Sequence, residues 1–231
     1  MPAGDVRLAD ARVHIGGTGR VGTAIALALQ TAGVGHMSCN DPQICEEEQL
    51  GCFTFYRRGD VGQPKVHVLE RFFDGRHGFI FEPVVAPNES PKVRPYLERA
   101  DVIVSCANRL SARLYLEHAA ITLKKPSVQA SAQDGRRALG GLVSAWVPDA
   151  DCSCFGCLLP DPNLRFPRGE VLSPTVTAAI GSIAAQRIVD LITSSRPAMA
   201  SWSNVLLIDL TSYAIEKLSV RPRKGCRCCG R

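Results

Sequence analysis

Short apolar runs alternate with longer segments of helical spacing along most of this chain. Residues 21–32, 62–73 and 109–123 place their apolar side chains at helical spacing, and residues 174–195 do so over a longer stretch. The runs between them have the length and apolar content of strands: RVHIG, GHMSCND, GFIFEPVVA, ADVIVSCA, PSVQASA and GGLVSAWVP. This alternation predicts an α/β fold, with an open and mostly parallel sheet that carries helices on both faces. Two last runs, NVLLIDL and YAIEKLSV, predict antiparallel strands near the C-terminus.

The length of the chain, 231 residues, suits one domain with one sizeable core, and we expect residues 1–231 to form it. Residues 12–150 are expected to make the alternating part of that domain. Residues 151–231 are expected to add two cysteine motifs, an irregular crossover loop, the long helix and the C-terminal strands.

The loop GGTGRVG follows the first predicted strand and leads into the first long predicted helix, so that G-x-G-x-x-G falls at Gly17, Gly19 and Gly22. At such a turn the backbone N–H groups of a helix N-terminus bind phosphate, and glycines allow the close approach. Asp41 ends the second predicted strand, where a carboxylate can accept hydrogen bonds from ribose hydroxyls. The pattern predicts a nucleotide site without separating NAD from ATP, and a purely structural turn is the alternative.

The chain has 10 cysteines, and two C-x-x-C pairs stand out among them. Cys154 with Cys157, and Cys226 with Cys229, fit a closed tetrahedral thiolate site for a structural zinc ion. Such a site would fasten the C-terminal tail to the rest of the domain. Loose thiols are the alternative, and Cys152 and Cys228 could each replace one of the four ligands.

Composition and charge limit the classes of partner and the cellular location that we expect for this protein. The net charge of +5 is mild and is concentrated in the tail RPRKGCRCCGR, so a solvated basic tail is favoured over a nucleic-acid contact. The N-terminus has no signal-peptide core, and no apolar run approaches the roughly 20 residues that span a bilayer. These features predict a cytoplasmic protein without a membrane partner.

Several motifs together carry a family resemblance that covers most of the chain. They are the glycine loop, AGVGHMSCND, DVGQPK, the first C-x-x-C pair, GEVLSPTVTAAIGSIAAQ and a final C-x-x-C-G. In this order they resemble the ThiF/MoeB/HesA family, which is related to ubiquitin-activating enzymes. The resemblance implies a homodimeric, Rossmann-like domain that binds ATP. It also implies adenylation of a carboxylate, typically the C-terminus of a ubiquitin-like protein or a peptide, with release of pyrophosphate.

The resemblance assigns roles to particular residues. Lys65 of DVGQPK matches the family lysine that contacts phosphates, and Asp41 matches the acid that holds the ribose. Gly17, Gly19 and Gly22 match the glycine loop. Asn108 and Arg113 match a D-N…R pattern after the fourth strand, although Arg113 is equally compatible with a surface position on a helix.

Four departures mark a partly degenerate ATP and magnesium site. Ala107 replaces the acid that is thought to hold Mg²⁺ in the family, so Mg²⁺ would be held by the phosphates and water alone. Cys52 replaces an arginine, and Gln43 and Gln49 replace an acid and an asparagine.

Residues near these four positions could compensate for the lost charge or offer a nucleophile. We expect Arg57 and Arg58 to supply the charge lost at Cys52. The crossover loop LLPDPNLRFPRGEVLS has no cysteine, which argues against a covalent thioester or persulfide step there. Cysteines closer to the predicted pocket are expected to be inert buried side chains: Cys39, Cys45, Cys52 and Cys106.

Two functions follow from these patterns. The first is an ATP-dependent adenylyltransferase for the carboxylate of a peptide, a ubiquitin-like protein or a small metabolite. The second is a degenerate binding module that recognises a peptide or a partner enzyme without adenylating it. An NAD-dependent dehydrogenase would explain the glycine loop and Asp41, but neither DVGQPK nor the cysteine pairs.

Overall fold

The computed structural model describes residues 6–51, 53, 55–135, 138–148, 150–159, 173–194 and 203–230. Two of the predicted features fall outside them: Cys52, and residues 160–172 of the crossover loop.

The described strands form one sheet of eight in the order β3-β2-β1-β4-β5-β6-β7-β8. The pairs from β3 to β5 are parallel, and those from β5 to β8 are antiparallel. The predicted α/β fold, with a parallel part and C-terminal antiparallel strands, is therefore confirmed. The strand bounds are β1 (Arg12–Gly16), β2 (His36–Asn40), β3 (Ile80–Val84), β4 (Val102–Ser105), β5 (Ser127–Gly135), β6 (Ala138–Trp146), β7 (Val205–Asp209) and β8 (Ala214–Leu218).

Helices pack on both faces of this sheet, as the alternating pattern predicted. On one face α2, α3 and α7 bury their apolar side chains in the main core, and on the other α4 and α5 bury a smaller one. Three short helices, α1, α4 and α6, were not predicted because a helix of four to six residues is too short to show helical periodicity. The bounds are α1 (Val6–Asp10), α2 (Arg20–Ala32), α3 (Lys65–Phe73), α4 (Arg94–Arg99), α5 (Leu110–Leu123), α6 (Phe155–Leu158) and α7 (Pro174–Thr193).

The helix α7 differs from one expectation, because it is long and apolar enough to cross a membrane by length and composition alone. Its contacts are those of a core helix. Val176, Ile180 and Ile188 are buried in the main core, and Gly181 lies directly against Ala24 of α2. A Cβ at Gly181 would come within 2.5 Å of the Ala24 Cβ, so the glycine sets how closely α2 and α7 approach.

A buried polar network fixes the carboxyl ends of the central strands. His14 of β1 is fully buried, and its imidazole lies 2.9 Å from Ser38 Oγ and 3.0 Å from Asn40 Oδ1. The Asn40 amide donates to Asn88 Oδ1 at 2.8 Å, and the Asn88 amide donates to the Ala112 carbonyl on α5. The network therefore ties β1 and β2 to the loop that follows β3 and to the helix that follows β4.

Burial lowers the pKa of His14 from 6.5 to about 4, against a smaller opposing effect of the Asn40 hydrogen bond. A histidine that is neutral when folded and protonated when unfolded destabilises the fold as pH falls below its unfolded pKa. We therefore expect the free energy of unfolding to fall by about 1.4 kcal/mol per pH unit between pH 6.5 and about 4 through this group.

Urea unfolding as a function of pH measures this contribution. The slope due to His14 should disappear in His14→Gln, which keeps a polar side chain but does not titrate. His77→Gln removes an exposed histidine and serves as the control. An unchanged slope in His14→Gln would show that this imidazole does not control acid stability.

Candidate functional site

The glycine loop lies at the carboxyl end of β1 and shapes the first turn of α2. Gly17 has a φ of +99°, which favours glycine, and its N–H donates to the Asn40 carbonyl at 2.8 Å. A Cβ at Gly22 would lie 1.9 Å from the Gly17 carbonyl oxygen, so the helix packs on the loop only with glycine there. Gly19 caps α2 without a side-chain hydrogen bond, and a Cβ built on it meets nothing within 4 Å. Space beside Gly19 is therefore open at the N-terminus of α2, where backbone N–H groups can bind a phosphate.

Asp41 directly follows β2 and lies against this loop. Its Oδ2 accepts hydrogen bonds from the Thr18 N–H at 2.8 Å and from the Thr18 hydroxyl at 3.2 Å. Its Oδ1 accepts from the Gln43 N–H at 2.9 Å. Asp41 is buried, and its hydrogen bonds hold the glycine loop against the end of β2, while its role toward a ribose stays a prediction.

Lys65, the first residue of α3, is brought to the same region through Gln43. Its backbone N–H donates to the Gln43 carbonyl at 3.0 Å, and its Nζ donates to Gln43 Oε1 at 2.8 Å. The Lys65 side chain is buried, while Gln43 is exposed. The structure thus connects Asp41, Gln43 and Lys65 in one chain of hydrogen bonds.

The loop after β4 completes this edge of the sheet. The Cys106 N–H donates to the Gly16 carbonyl at 2.9 Å, and a Cβ at Gly17 would lie 3.2 Å from the Ala107 nitrogen. Asn108 follows and is exposed. The strand order reverses between β1 and β4, which is where open α/β sheets bind ligands at the carboxyl ends of their strands. Gly17, Gly19, Asp41 and Asn108 lie on loops at this edge, and Gly22 lies in the first turn of α2.

Arg113 is a buried side chain of α5, so the alternative of a surface position on a helix is wrong. Its guanidinium donates to the carbonyls of Ala107, at 2.6 Å, and Ala130, at 2.9 Å, and lies 5.8 Å from the Phe155 ring centroid. Burial lowers its pKa, and the nearby Cys106 partly opposes that shift. Arg113 therefore holds the ends of β4 and β5 together, and the hydrogen bonds of its guanidinium go to backbone carbonyls.

Arg57 and Arg58 lie on an exposed turn before α3. The Arg57 N–H donates to Asp60, whose carboxylate forms an ion pair with Arg71 at 2.6 Å. Among the described residues, neither Arg57 nor Arg58 forms a hydrogen bond or an ion pair with the glycine loop or Asp41. Their assistance to phosphate binding stays a prediction.

The described cysteines near this edge are buried thiols. Burial raises the pKa of Cys106 to about 12, and burial together with Cys106 and Asp41 raises that of Cys39. Burial also raises the pKa of Cys45. A thiol with a raised pKa stays protonated at neutral pH and is a poor nucleophile, which agrees with the expectation of inert side chains.

The four predicted metal ligands meet in one cluster. The Sγ atoms of Cys154, Cys157, Cys226 and Cys229 all lie within 4.8 Å of one another. Sγ–Sγ distances of 3.6 Å (Cys154–Cys157 and Cys157–Cys229) and 3.7 Å (Cys154–Cys226) approach the edge of about 3.8 Å for a tetrahedron with Zn–S bonds of about 2.3 Å. The cluster could hold a metal ion, and its geometry fits zinc.

The spare cysteines lie outside this group of four. Cys152 Sγ lies 3.9 Å from the Val147 carbonyl, and the Cys228 Cβ would be 2.5 Å from a Cβ at Gly156. The Arg223 N–H donates to Cys157 Sγ at 3.3 Å, as backbone groups commonly do to thiolates. The tail is thereby fastened beside α6.

Arg113 and Glu117, two buried residues of α5, connect the cysteine cluster to the sheet. Glu117 was not predicted as a functional residue from the sequence. Glu117 of α5 accepts from the Phe155 N–H at 2.8 Å, from Ser127 Oγ at 2.7 Å and from the Gln129 amide at 3.0 Å. Burial raises its pKa, and these hydrogen bonds partly offset the shift. Glu117 lies one helical turn after Arg113, and that spacing was the available signal for a shared inward face.

Comparison with known proteins identifies the family. The sequence profile of the ThiF family matches residues 2–228. The chain belongs to the ThiF family.

Curated relatives of the chain within the ThiF family are adenylyltransferases by name. The sulfur carrier protein ThiS adenylyltransferase of Escherichia coli is 26% identical over 98% of this chain and 89% of its own length. The adenylyltransferase and sulfurtransferase MOCS3 of Anopheles gambiae is 28% identical over 96% of this chain. The chain spans only 50% of that second relative, which is therefore a longer protein.

Solved structures confirm the fold expected of the ThiF family. Escherichia coli MccB with succinimide superposes with a TM-score of 0.79 at 18% identity, over 98% of this chain and 68% of MccB. MccB with ATP gives a TM-score of 0.76 at 19% identity, over 97% of this chain and 68% of MccB. At such identities the likeness concerns the fold alone.

The cysteine cluster makes a direct prediction about metal content. We expect the purified protein to contain about one zinc ion per chain, and Cys157→Ser to lose most of it, because a closed site needs all four thiolates. Metal analysis of the dialysed protein measures this.

Cys228→Ser is the matched control, since it removes a neighbouring thiol that does not belong to the group of four. Full zinc in Cys157→Ser together with loss in Cys228→Ser would mean that Cys228 is a ligand instead.

Proposed function

We propose that this chain is an ATP-dependent adenylyltransferase that activates a carboxylate on a small protein, a peptide or a small metabolite as an acyl adenylate. The observation that carries the proposal is the chain of hydrogen bonds from the glycine loop through Asp41 and Gln43 to Lys65. It joins a candidate phosphate loop, a ribose acceptor and a cation at the edge of the sheet where α/β proteins bind nucleotides.

The relatives support the same chemistry. One is named for adenylylation of the sulfur carrier protein ThiS, and the MccB structures include complexes with ATP and with MccA. We infer that this chain acts on a comparable partner, a small protein or a peptide that presents a carboxylate. A homodimer and a cytoplasmic location belong to the same proposal.

Each residue has a physical task in that reaction. A carboxylate oxygen bonds to the α-phosphorus while the bond from that phosphorus to pyrophosphate breaks, so negative charge grows on the leaving group. Lys65 would offset this charge, and the N–H groups at the start of α2 would bind the phosphates. Asp41 would accept hydrogen bonds from the ribose, and Asn108 would line the opening.

Zinc and magnesium have different roles in this proposal. Zinc at the cysteine cluster, with four thiolates and no open position, would fasten the tail and take no part in chemistry. Magnesium has no matching ligand at Ala107, whose side chain offers no oxygen. Asp41, which directly follows β2, already accepts three hydrogen bonds.

The missing oxygen at Ala107 favours a second candidate function, a degenerate binding module. Such a protein would keep the fold and the cysteine cluster and would recognise a peptide or a partner enzyme. The two candidates differ in whether the glycine loop still binds a nucleotide, which a titration decides.

The first prediction for this site concerns Lys65. We expect the wild-type protein to bind ATP in calorimetric titration, and Lys65→Ala to weaken that binding by about tenfold or more, because a charged hydrogen bond to phosphate is lost. Lys92→Ala removes an exposed lysine outside the site and should leave the affinity unchanged.

Pyrophosphate exchange with candidate carboxylates then identifies the substrate. Absence of ATP binding by folded wild-type protein at about millimolar nucleotide, the upper end of the usual range of KM values, would favour the binding module.

A separate prediction tests the two exposed arginines. If Arg57 and Arg58 supply the charge lost at Cys52, the double variant Arg57→Ala/Arg58→Ala should bind ATP about tenfold more weakly. The control is Arg94→Ala/Arg99→Ala, which removes two arginines paired with Glu98 and Glu82. Equal affinity in the two double variants and the wild type would remove Arg57 and Arg58 from the site.

A further inference from the structure

We propose that Gln43 is a positioning residue that keeps the buried ammonium of Lys65 hydrogen-bonded without neutralising it, and gives up its place to a nucleotide phosphate. The inference rests on the proposed ATP site and assigns a role to a residue at which the resemblance expects an acid. It follows from the contacts of Gln43, which is placed between the carboxylate and the cation of the site.

Gln43 makes one hydrogen bond to Asp41 and two to Lys65. Its N–H donates to Asp41 Oδ1 at 2.9 Å, and its carbonyl accepts from the Lys65 N–H at 3.0 Å. Its side-chain Oε1 accepts from Lys65 Nζ at 2.8 Å. The residue therefore binds both charged groups at once, each through a different atom.

The pairing of Lys65 is unusual for a buried lysine. Its side chain is 4% exposed, and buried ammonium groups are normally paired with a carboxylate because an isolated buried charge is costly. Among the described residues no carboxylate lies within ion-pair distance of Lys65, and the acceptor of its Nζ is the neutral amide of Gln43. Among the described residues the ammonium thus has a hydrogen-bond acceptor but no ion-pair partner.

The exposure of Gln43 indicates how that charge could be used. The acceptor of the buried ammonium belongs to a residue that solvent reaches, since Gln43 is exposed and Lys65 is not. An incoming phosphate oxygen can replace Oε1 as the acceptor, and the released amide remains solvated. The exchange leaves no buried polar group unpaired and replaces an ammonium–amide hydrogen bond with a hydrogen-bonded ion pair between ammonium and phosphate.

A carboxylate at the same position would have the opposite effect. Glutamate has the length of glutamine and would keep the hydrogen bond to Lys65, but it would form an ion pair with the ammonium. A phosphate would then have to displace that ion pair against repulsion from a second negative charge. A role of Gln43 in packing alone predicts no such loss.

The test compares Gln43→Glu with the wild type by calorimetric titration with ATP and with adenosine. We expect the Kd for ATP to rise by about tenfold or more, because the charge of Lys65 is cancelled, while the Kd for adenosine stays within about twofold. Gln63→Glu is the matched control, since it adds the same charge at an exposed glutamine two residues before Lys65. The melting temperature of the free protein should not fall in Gln43→Glu.

A double variant shows whether Gln43 acts through Lys65. In the Lys65→Met background, adding Gln43→Glu should raise the Kd for ATP by no more than Gln63→Glu does. A full effect in that background would overturn the inference, and so would equal ATP affinity of wild type and Gln43→Glu. In the second case ATP binding by the wild type would leave the proposed function standing. If folded wild type binds no ATP, the proposed function and this inference both fall.

Discussion

The hydrogen bonds of the Asp41 carboxylate hold the candidate site together. Asp41 accepts from Thr18 in the loop after β1 and from Gln43 in the loop after β2, so two separate crossovers are fixed to one side chain. Parallel strands bring such loops to one edge of the sheet, but the spacing between them is set by side chains. The position of Lys65 follows from the same contacts, because Gln43 binds it through both backbone and amide. The affinity for a nucleotide that binds Asp41 would therefore depend on the positions of both loops.

The opposite flank of the site depends on a second buried group of polar residues. Arg113 fixes the Ala107 carbonyl in the loop after β4, and its guanidinium also lies over the ring of Phe155. Glu117, one turn later, accepts from the Phe155 N–H next to Cys154. A single α6 residue thus touches both charged side chains of α5. The cysteine cluster is thereby joined by direct contacts to the edge of the sheet that carries the candidate site, so a metal ion bound in the cluster would help to fix the position of that edge.

The sequence was informative where a local pattern repeats or where spacing is fixed by chemistry. Alternation predicted the strands and the long helices, and the glycine loop, Asp41 and the four cysteines were all placed at the correct elements. Contacts between particular side chains could not be predicted from the sequence. The bond between Lys65 and Gln43 joins residues 22 positions apart, and Arg113 looked compatible with a surface because its carbonyl partners come from β4 and β5. Such partners depend on the tertiary fold, which no local periodicity encodes.

The contact between Gln43 and Lys65 also gives a physical reason for two departures from the family pattern to occur together. The resemblance places an arginine at Cys52 and an acid at Gln43. Loss of the arginine alone would leave Lys65 close to Asp41 and to the acid that the resemblance expects at position 43, and a cation that is paired with a carboxylate attracts phosphate weakly. Loss of the acid as well restores a lysine whose acceptor is neutral, so the site keeps a cation for phosphate with fewer ionised groups. A neutral acceptor for Lys65 suits the proposed phosphate contact, because no carboxylate at position 43 would compete with phosphate for the ammonium.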